Sequence, residues 1–149
     1  MSQPSDFTEG RWRPVLSDHD GDPAAVRTVL LCSGKVRWDL MQRRAALGTE
    51  ESVAIIALER LYPLPAAEIA AELARYPQVE RIRYVQDEPA NQGGWPYIAL
   101  NLPPALREVA PEQDWTLEPI TRPASSAPSV GSAKVHEAQQ RELVDAALA

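Results

Sequence analysis

From residue 26 onward, unbroken apolar runs alternate with stretches in which apolar residues recur every third or fourth position. RTVLLCSG (residues 27–34) stays apolar until Ser-Gly ends it, the pattern of a strand buried on both faces of a parallel sheet. KVRWDLMQRRAALG then spaces Val36, Leu40, Met41 and Leu47 along one helical stripe, with Ser33 or Gly34 opening the helix and Gly48 stopping it. VAIIALERL repeats the buried-strand pattern. YPLP predicts a turn, and Pro65 suits the first turn of the helix AAEIAAELARY, in which Ile69, Leu73 and Tyr76 share a face. RIRYVQDE alternates instead, so a third strand sets Ile82, Tyr84 and Gln86 on one side and Arg83 and Val85 on the other.

Further along, WPYIALNLPPAL predicts a helix closed by Pro103 and Pro104. DWTLEPITRP predicts a fourth strand, and Pro119 implies an edge position or a bulge. A Ser/Pro-rich loop, ASSAPSVGSA, leads into an amphipathic helix, KVHEAQQRELVDAALA, whose Val135, Leu143, Val144 and Ala147 need a surface to cover. Strands alternating with helices predict right-handed crossovers and an α/β fold: a three-layer, small, mainly parallel sheet of four or five strands flanked by helices. Residues 1–24 are rich in Pro, Asp, Gly and Ser and read as an N-terminal arm that lays Phe7, Trp12 and Val15 on a neighbouring surface. Residues 25–149 read as one domain ending in the C-terminal helix.

Composition narrows the function classes. The net charge of the 149 residues is −6, with basic residues scattered rather than striped, which argues against nucleic acid and against an anionic membrane surface. The apolar runs fall well short of the roughly 20 residues a membrane-spanning helix needs, and MSQPSDFTEG lacks a basic-then-apolar signal, so the expected location is the cytoplasm. The single cysteine, Cys32, can form neither an internal disulfide nor a cysteine-rich metal site; inside VLLCSG it reads as a buried small hydrophobe. The two histidines, His19 and His136, belong to no spaced metal motif.

Ligands of open parallel sheets gather beyond the carboxyl ends of the strands, where CSGK, ERLYP and QDEPANQGGW lie. Ser33 and Lys35 at the first strand-to-helix turn could hold an anion, or Ser33 could simply cap the helix. Asp87 and Glu88 resemble an acid/base pair, but with no His, Cys or Lys beside them they read better as acceptors for the next turn's amides. Asn91 and Gln92 supply side-chain amides for turn bonds, and Gly93 and Gly94 serve positive φ or close approach. Trp95 is a large amphipathic anchor suited to an interface. Arg122 and His136, with Lys134 and Ser125, could form a small anion patch or a solvated helix face. No nucleophile beside a base emerges, so no residue is assigned a catalytic role.

Four ordered motifs also carry a resemblance: VLLCSGKVRWDL, VAIIALERLYPLP, YVQDEPANQGGWPYI and RPASSAPSVGSAKVHEAQQRELVDAAL. From about Asp6 to the end the chain resembles the C-terminal, transketolase-like domain of the thiamine-diphosphate-dependent 2-oxoglutarate dehydrogenase component, in its actinobacterial multifunctional form. The resemblance implies a structural and dimer-interface domain that packs on upstream catalytic domains and a homodimer partner. It implies thiamine diphosphate and Mg²⁺ in the complete enzyme, held by residues outside this chain, and dihydrolipoyl succinyltransferase as partner in the complete complex. Under it Glu88, Asn91, Gln92 and Trp95 become a strand-end turn with interface contacts. Relatives of this form bind activating acetyl-CoA through a glutamine in the segment matching LERLYPLP and paired arginines after it. Those positions are Arg60, Ala67 and Glu68 here: the anion-binding pair is missing and an acid replaces it, which speaks against acetyl-CoA regulation and leaves Arg60 as a partial substitute. The alternative is a stand-alone acyl-CoA or anion-binding regulatory module.

Overall fold

The computed structural model describes residues 4–18 and 21–149, so His19 lies outside the described residues. A short helix α1 (Pro4–Thr8) precedes β1 (Val15–Leu16) and the series β2 (Thr28–Cys32), α2 (Val36–Leu47), β3 (Val53–Leu58), α3 (Ala66–Leu73), β4 (Arg81–Pro89), α4 (Trp95–Val109), β5 (Leu117–Arg122) and α5 (Ala133–Leu148). The five strands order β1-β3-β2-β4-β5. All neighbouring pairs are parallel except β1 on β3.

The strand pleat explains the layers. Val29, Leu31, Ala54, Ile56, Leu58, Ile82 and Tyr84 point to one face and meet Ile69 and Leu73 of α3 and Ile98, Leu102 and Leu106 of α4. Leu30, Cys32, Val53, Ile55 and Val85 point to the other and meet Val36 and Leu40 of α2 and Leu143, Val144 and Ala147 of α5. β2 and β3, covered on both faces, are the unbroken apolar runs of the sequence. α2 stops at Gly48, whose φ of 66° is the left-handed conformation that glycine adopts at least cost. Leu47 and Val135 do not join the core; each is 45% exposed.

Two elements depart from the sequence pattern. α4 runs through Pro103 and Pro104 to Val109. Each proline removes one helical N–H, at a cost of about 3 kcal/mol in a helix interior. Burial of Ile98 and Leu102 before the prolines and Leu106 after them holds the helix together. Within the segment read as an arm, Val15 and Leu16 pair with Leu58 and Ala57 as an antiparallel edge strand, while Phe7 and Trp12 stay 81% and 64% exposed. Two residues are too few for a periodicity. Just beyond, the buried Asp18 carboxylate accepts from the Arg44 guanidinium and the Ile55 amide, fixing this segment to α2 and β3.

β5 lies at the sheet edge, the position where a strand tolerates proline, and Pro119 pairs in register with Tyr84; the pairing with β4 slips only further on, between Val85 and Pro89. Arg83, which the alternation turns toward α5, donates Nη1 to the carbonyls of Ala146, Ala147 and Ala149 at 2.9–3.2 Å. It thus caps the end of that helix, where orphan carbonyls and the negative end of the dipole lie.

Candidate functional site

At the carboxyl end of β4 the chain must turn sharply into α4, and Gln86 organises that turn. Its Nε2 donates to the carbonyls of Pro89 (3.0 Å) and Gln92 (2.8 Å), while its Oε1 accepts from the Trp95 amide at 2.7 Å. With a longer contact to the Glu88 carbonyl (3.3 Å), one buried side chain thereby engages four backbone groups. Gly93 takes φ 66°, and a Cβ there would meet Gln86 Oε1 and Glu88 Oε2 at 2.9 Å. A Cβ at Gly94 would overlap the Tyr84 hydroxyl. The gap lets Trp95 stack on Tyr84, with ring centroids 6.1 Å apart and planes at 27°.

The rest of the turn clamps the loop after β5. Asn91 donates to Ser125 O at 2.9 Å and accepts from Ser125 N at 3.0 Å, while Gln92 donates to Ser125 O (2.9 Å) and Ala127 O (3.3 Å). Glu88 is exposed, and its side chain makes none of these bonds. Asp87, read from sequence as an acceptor of turn amides, instead accepts from the side chain of Gln140 on α5 at 2.6 Å.

Gln140 is the centre the sequence did not reveal. Its Nε2 also donates to Asp39 of α2 at 2.9 Å, and its Oε1 accepts from Arg122 Nη2 at 2.7 Å. Arg122 Nη1 in turn faces His136 Nδ1 at 3.2 Å. Arg122 and His136 therefore do come together, four residues along α5 from Gln140, so His136 and Gln140 share a helix face. That spacing was the available signal. Lys35 pairs with Asp39 and reaches the same network through it. Ser33 does not join; its hydroxyl donates to Leu58 O at 2.9 Å and ties the ends of β2 and β3. Arg60 lies apart, 3.7 Å from Glu68 and with its guanidinium 5.8 Å from the Trp12 ring centroid.

Cys32 is fully buried, and burial pushes its thiol up to about 12 against the weaker opposing pull of Arg37; it is not a thiolate at neutral pH. Burial likewise pushes the Tyr84 hydroxyl up to about 12.

The 2-oxoglutarate dehydrogenase C-terminal family model matches residues 1–148. The chain belongs to this family. It is 43% identical over 152 aligned residues to the Multifunctional 2-oxoglutarate metabolism enzyme of Mycolicibacterium vanbaalenii, covering 99% of this chain and 12% of that protein. It is 38% identical over 148 aligned residues to the 2-oxoglutarate dehydrogenase E1/E2 component of Corynebacterium glutamicum, covering 98% of this chain and again 12% of the relative. The chain thus spans about an eighth of the length of these family members. Among solved structures it resembles a split gene transketolase, described as an inactive beta4 tetramer, with TM-score 0.55 at 15% identity over 93% of this chain and 42% of that one. This likeness fixes the fold as transketolase-like.

The donor groups here do not fit a metal-bound diphosphate. Among the described residues, no three His, Cys, Asp or Glu side chains gather as ligands. Asp39 in the first turn of α2 and Asp87 near the end of β4 are both engaged by Gln140. No described helix is long and apolar enough to cross a membrane.

Proposed function

We propose that this 2-oxoglutarate dehydrogenase C-terminal domain acts as a scaffold in the cytoplasm. It docks on thiamine-diphosphate-binding catalytic domains outside this sequence and helps join two copies into a homodimer. The catalytic domains supply the diphosphate and Mg²⁺ ligands, and the complete assembly passes its acyl group to dihydrolipoyl succinyltransferase. The observation that carries this reading is how the strand-end side chains are used. Gln86, Asn91 and Gln92 are bonded to backbone of their own turn and of the loop after β5, which builds a rigid rim and leaves Glu88 outward. Trp95 serves that rim from inside, on Tyr84, and the outward apolar groups available for docking include Tyr62 (81% exposed) and Leu100 (77%), besides Phe7 and Trp12.

Complementation tests it. A family member truncated before this domain is mixed with the chain, and 2-oxoglutarate-dependent carbon dioxide release is measured with thiamine diphosphate and Mg²⁺. Restored turnover together with co-migration in size exclusion is expected. Failure of both, or carbon dioxide release by the chain alone, refutes the proposal.

The second reading is an acyl-CoA or anion-sensing module. Arg60 supports it poorly, because Glu68 competes for the guanidinium. Arg122 supports the anion part better.

A further inference from the structure

Arg122, the last residue of β5, is 7% exposed. Its Nη1 and Nη2 face a histidine ring nitrogen and an amide oxygen, neither of them a carboxylate, and its buried Nε has no acceptor. No carboxylate of the described residues lies within 4.0 Å of the guanidinium, whereas Arg44 is paired with Asp18 and Arg83 has Glu118 at 3.5 Å. A buried cation without a counter-charge is held at a cost that an arriving anion would relieve.

Arg122 also lines a cavity of about 220 Å³ between Pro89 and the loop of residues 123–130. Ser125, Ser129 and Gln139 contribute hydroxyl and amide groups to its wall, and no acidic residue lines it. Asp39 and Asp87 are separated from the guanidinium by the Gln140 amide. Among the described residues, positions 123–131 make no backbone–backbone hydrogen bond, so most amides of this loop remain as donors. The loop is anchored at Ser125 and Ala127 through Asn91 and Gln92, which sets it over Arg122; this engages the Ser125 amide with Asn91 Oδ1 and leaves the Ala127 amide on Ser125 Oγ, so the donors that remain are the amides of Ala124, Ser126, Ser129, Val130 and Gly131. The volume is below the roughly 300–1,000 Å³ of sites for drug-sized ligands, so it suits a single oxyanion head rather than a whole nucleotide.

We propose that this cavity is a binding site for a small oxyanion, a phosphate or carboxylate group, held by the Arg122 fork with loop amides and serine hydroxyls completing its shell. The site lies on the flank of β5 and is independent of whether the chain docks on catalytic domains.

The test is a titration of the ¹⁵N-labelled full chain, following arginine Nε–H resonances by NMR. Sodium phosphate and sodium succinate are compared with sodium chloride at matched ionic strength. One Nε–H resonance, assigned by its loss in Arg122→Lys, is expected to shift saturably with phosphate or succinate and not with chloride. The anion that saturates at lower concentration identifies the source of the group. Arg122→Lys keeps the charge but loses the fork, so affinity read from backbone amides of 124–130 should fall about tenfold or more. Ser129→Leu, which fills the cavity and leaves the His136 and Gln140 contacts alone, should abolish the saturable shift with the rest of the spectrum retained. An equal response to chloride, no saturation by either anion, or unchanged affinity in both variants would overturn the proposal.

Discussion

Replacing Gln140 by leucine removes a side chain that joins α2, β4, β5 and α5. The lost bonds are those to Asp87 (2.6 Å), Asp39 (2.9 Å) and Arg122 (2.7 Å), each with a charged partner. Hydrogen bonds to charged groups contribute about 1.5–3 kcal/mol apiece when well buried. Here the Asp39 side chain is 27% exposed, so water can replace part of what is lost and each bond is taken near 1 kcal/mol. Arg122 Nη2 is left facing an alkyl group, which adds to the cost. The expected loss is about 2–4 kcal/mol, read by urea denaturation with tryptophan fluorescence. Leucine is as good a helix former as glutamine, so a loss of this size would not come from propensity. The loss should also be local. α5 is buried through Leu143, Val144 and Ala147, whereas its first half is tied down by polar contacts. Amide exchange should therefore accelerate over residues 134–140 and stay slow beyond Leu143. Gln140→Glu separates the contributions further: it keeps a partner for Arg122 but sets a third carboxylate against Asp39 and Asp87. That variant should gain stability as the pH is lowered into the carboxylate range, and the leucine variant should not. A leucine variant within about 0.5 kcal/mol of the parent, or uniform exchange along α5, would refute the reasoning.

Three further outcomes follow from the same geometry. Gly94→Ala should cost about 1–3 kcal/mol, because its Cβ overlaps the hydroxyl of Tyr84, which is 1% exposed and cannot retreat; Trp95 emission should shift with it, and unchanged stability and emission would show that the turn yields freely. Arg83→Met keeps the packed stem but removes the donors to the last carbonyls of α5, and should cost about 1–3 kcal/mol with faster exchange in the final turn, measured by urea melts and hydrogen exchange. Cys32 and Tyr84 ionise near 12 when folded but from 9.0 and 10.0 when exposed. Between those values the unfolded chain binds fewer protons, so the stabilising contribution is whole below pH 9 and is lost as pH rises toward 12, by up to about 1.4 kcal/mol per pH unit for each group. Urea midpoints that do not fall over that window, or rapid reaction of Cys32 with a thiol reagent at neutral pH without unfolding, would contradict the burial argument.

The central strands and α2 were legible because burial on both faces leaves unbroken apolar runs and because Gly48 marks a helix end by backbone conformation alone. α4 beyond Pro103 was not, since the prolines state their cost locally while the compensating burial of Leu106 depends on what lies across the helix. The turn at 86–95 shows the same division. Its glycines and amides announced a tight turn, but the pairing of Asp87 with Gln140 spans 53 positions, and an amide on a polar helix face looks like any solvated residue. Long-range polar bonds leave little trace in periodicity.

That undetected bond bears directly on where this domain can bind anything. In a sheet ordered as here, the chain leaves β2 toward β3 and returns by α3 to β4 on the opposite side, so the crevice between the carboxyl ends of β2 and β4 is the expected ligand site. Gln140 bonds Asp39, just inside the helix that follows β2, to Asp87 near the end of β4, and so draws α5 across that crevice. A ligand entering there would have to displace three charge-assisted bonds before making its own. Two openings flank that bridge: a groove of about 510 Å³ between α2 and α5, lined by Lys35, Asp39, His136 and Gln140, and the cavity on the far side of Arg122, where the guanidinium has no carboxylate partner and the adjoining loop has amides to offer. The C-terminal helix bridges the usual site of the fold through Gln140, and by holding Arg122 through the same side chain it positions the cation that lines the cavity beside it.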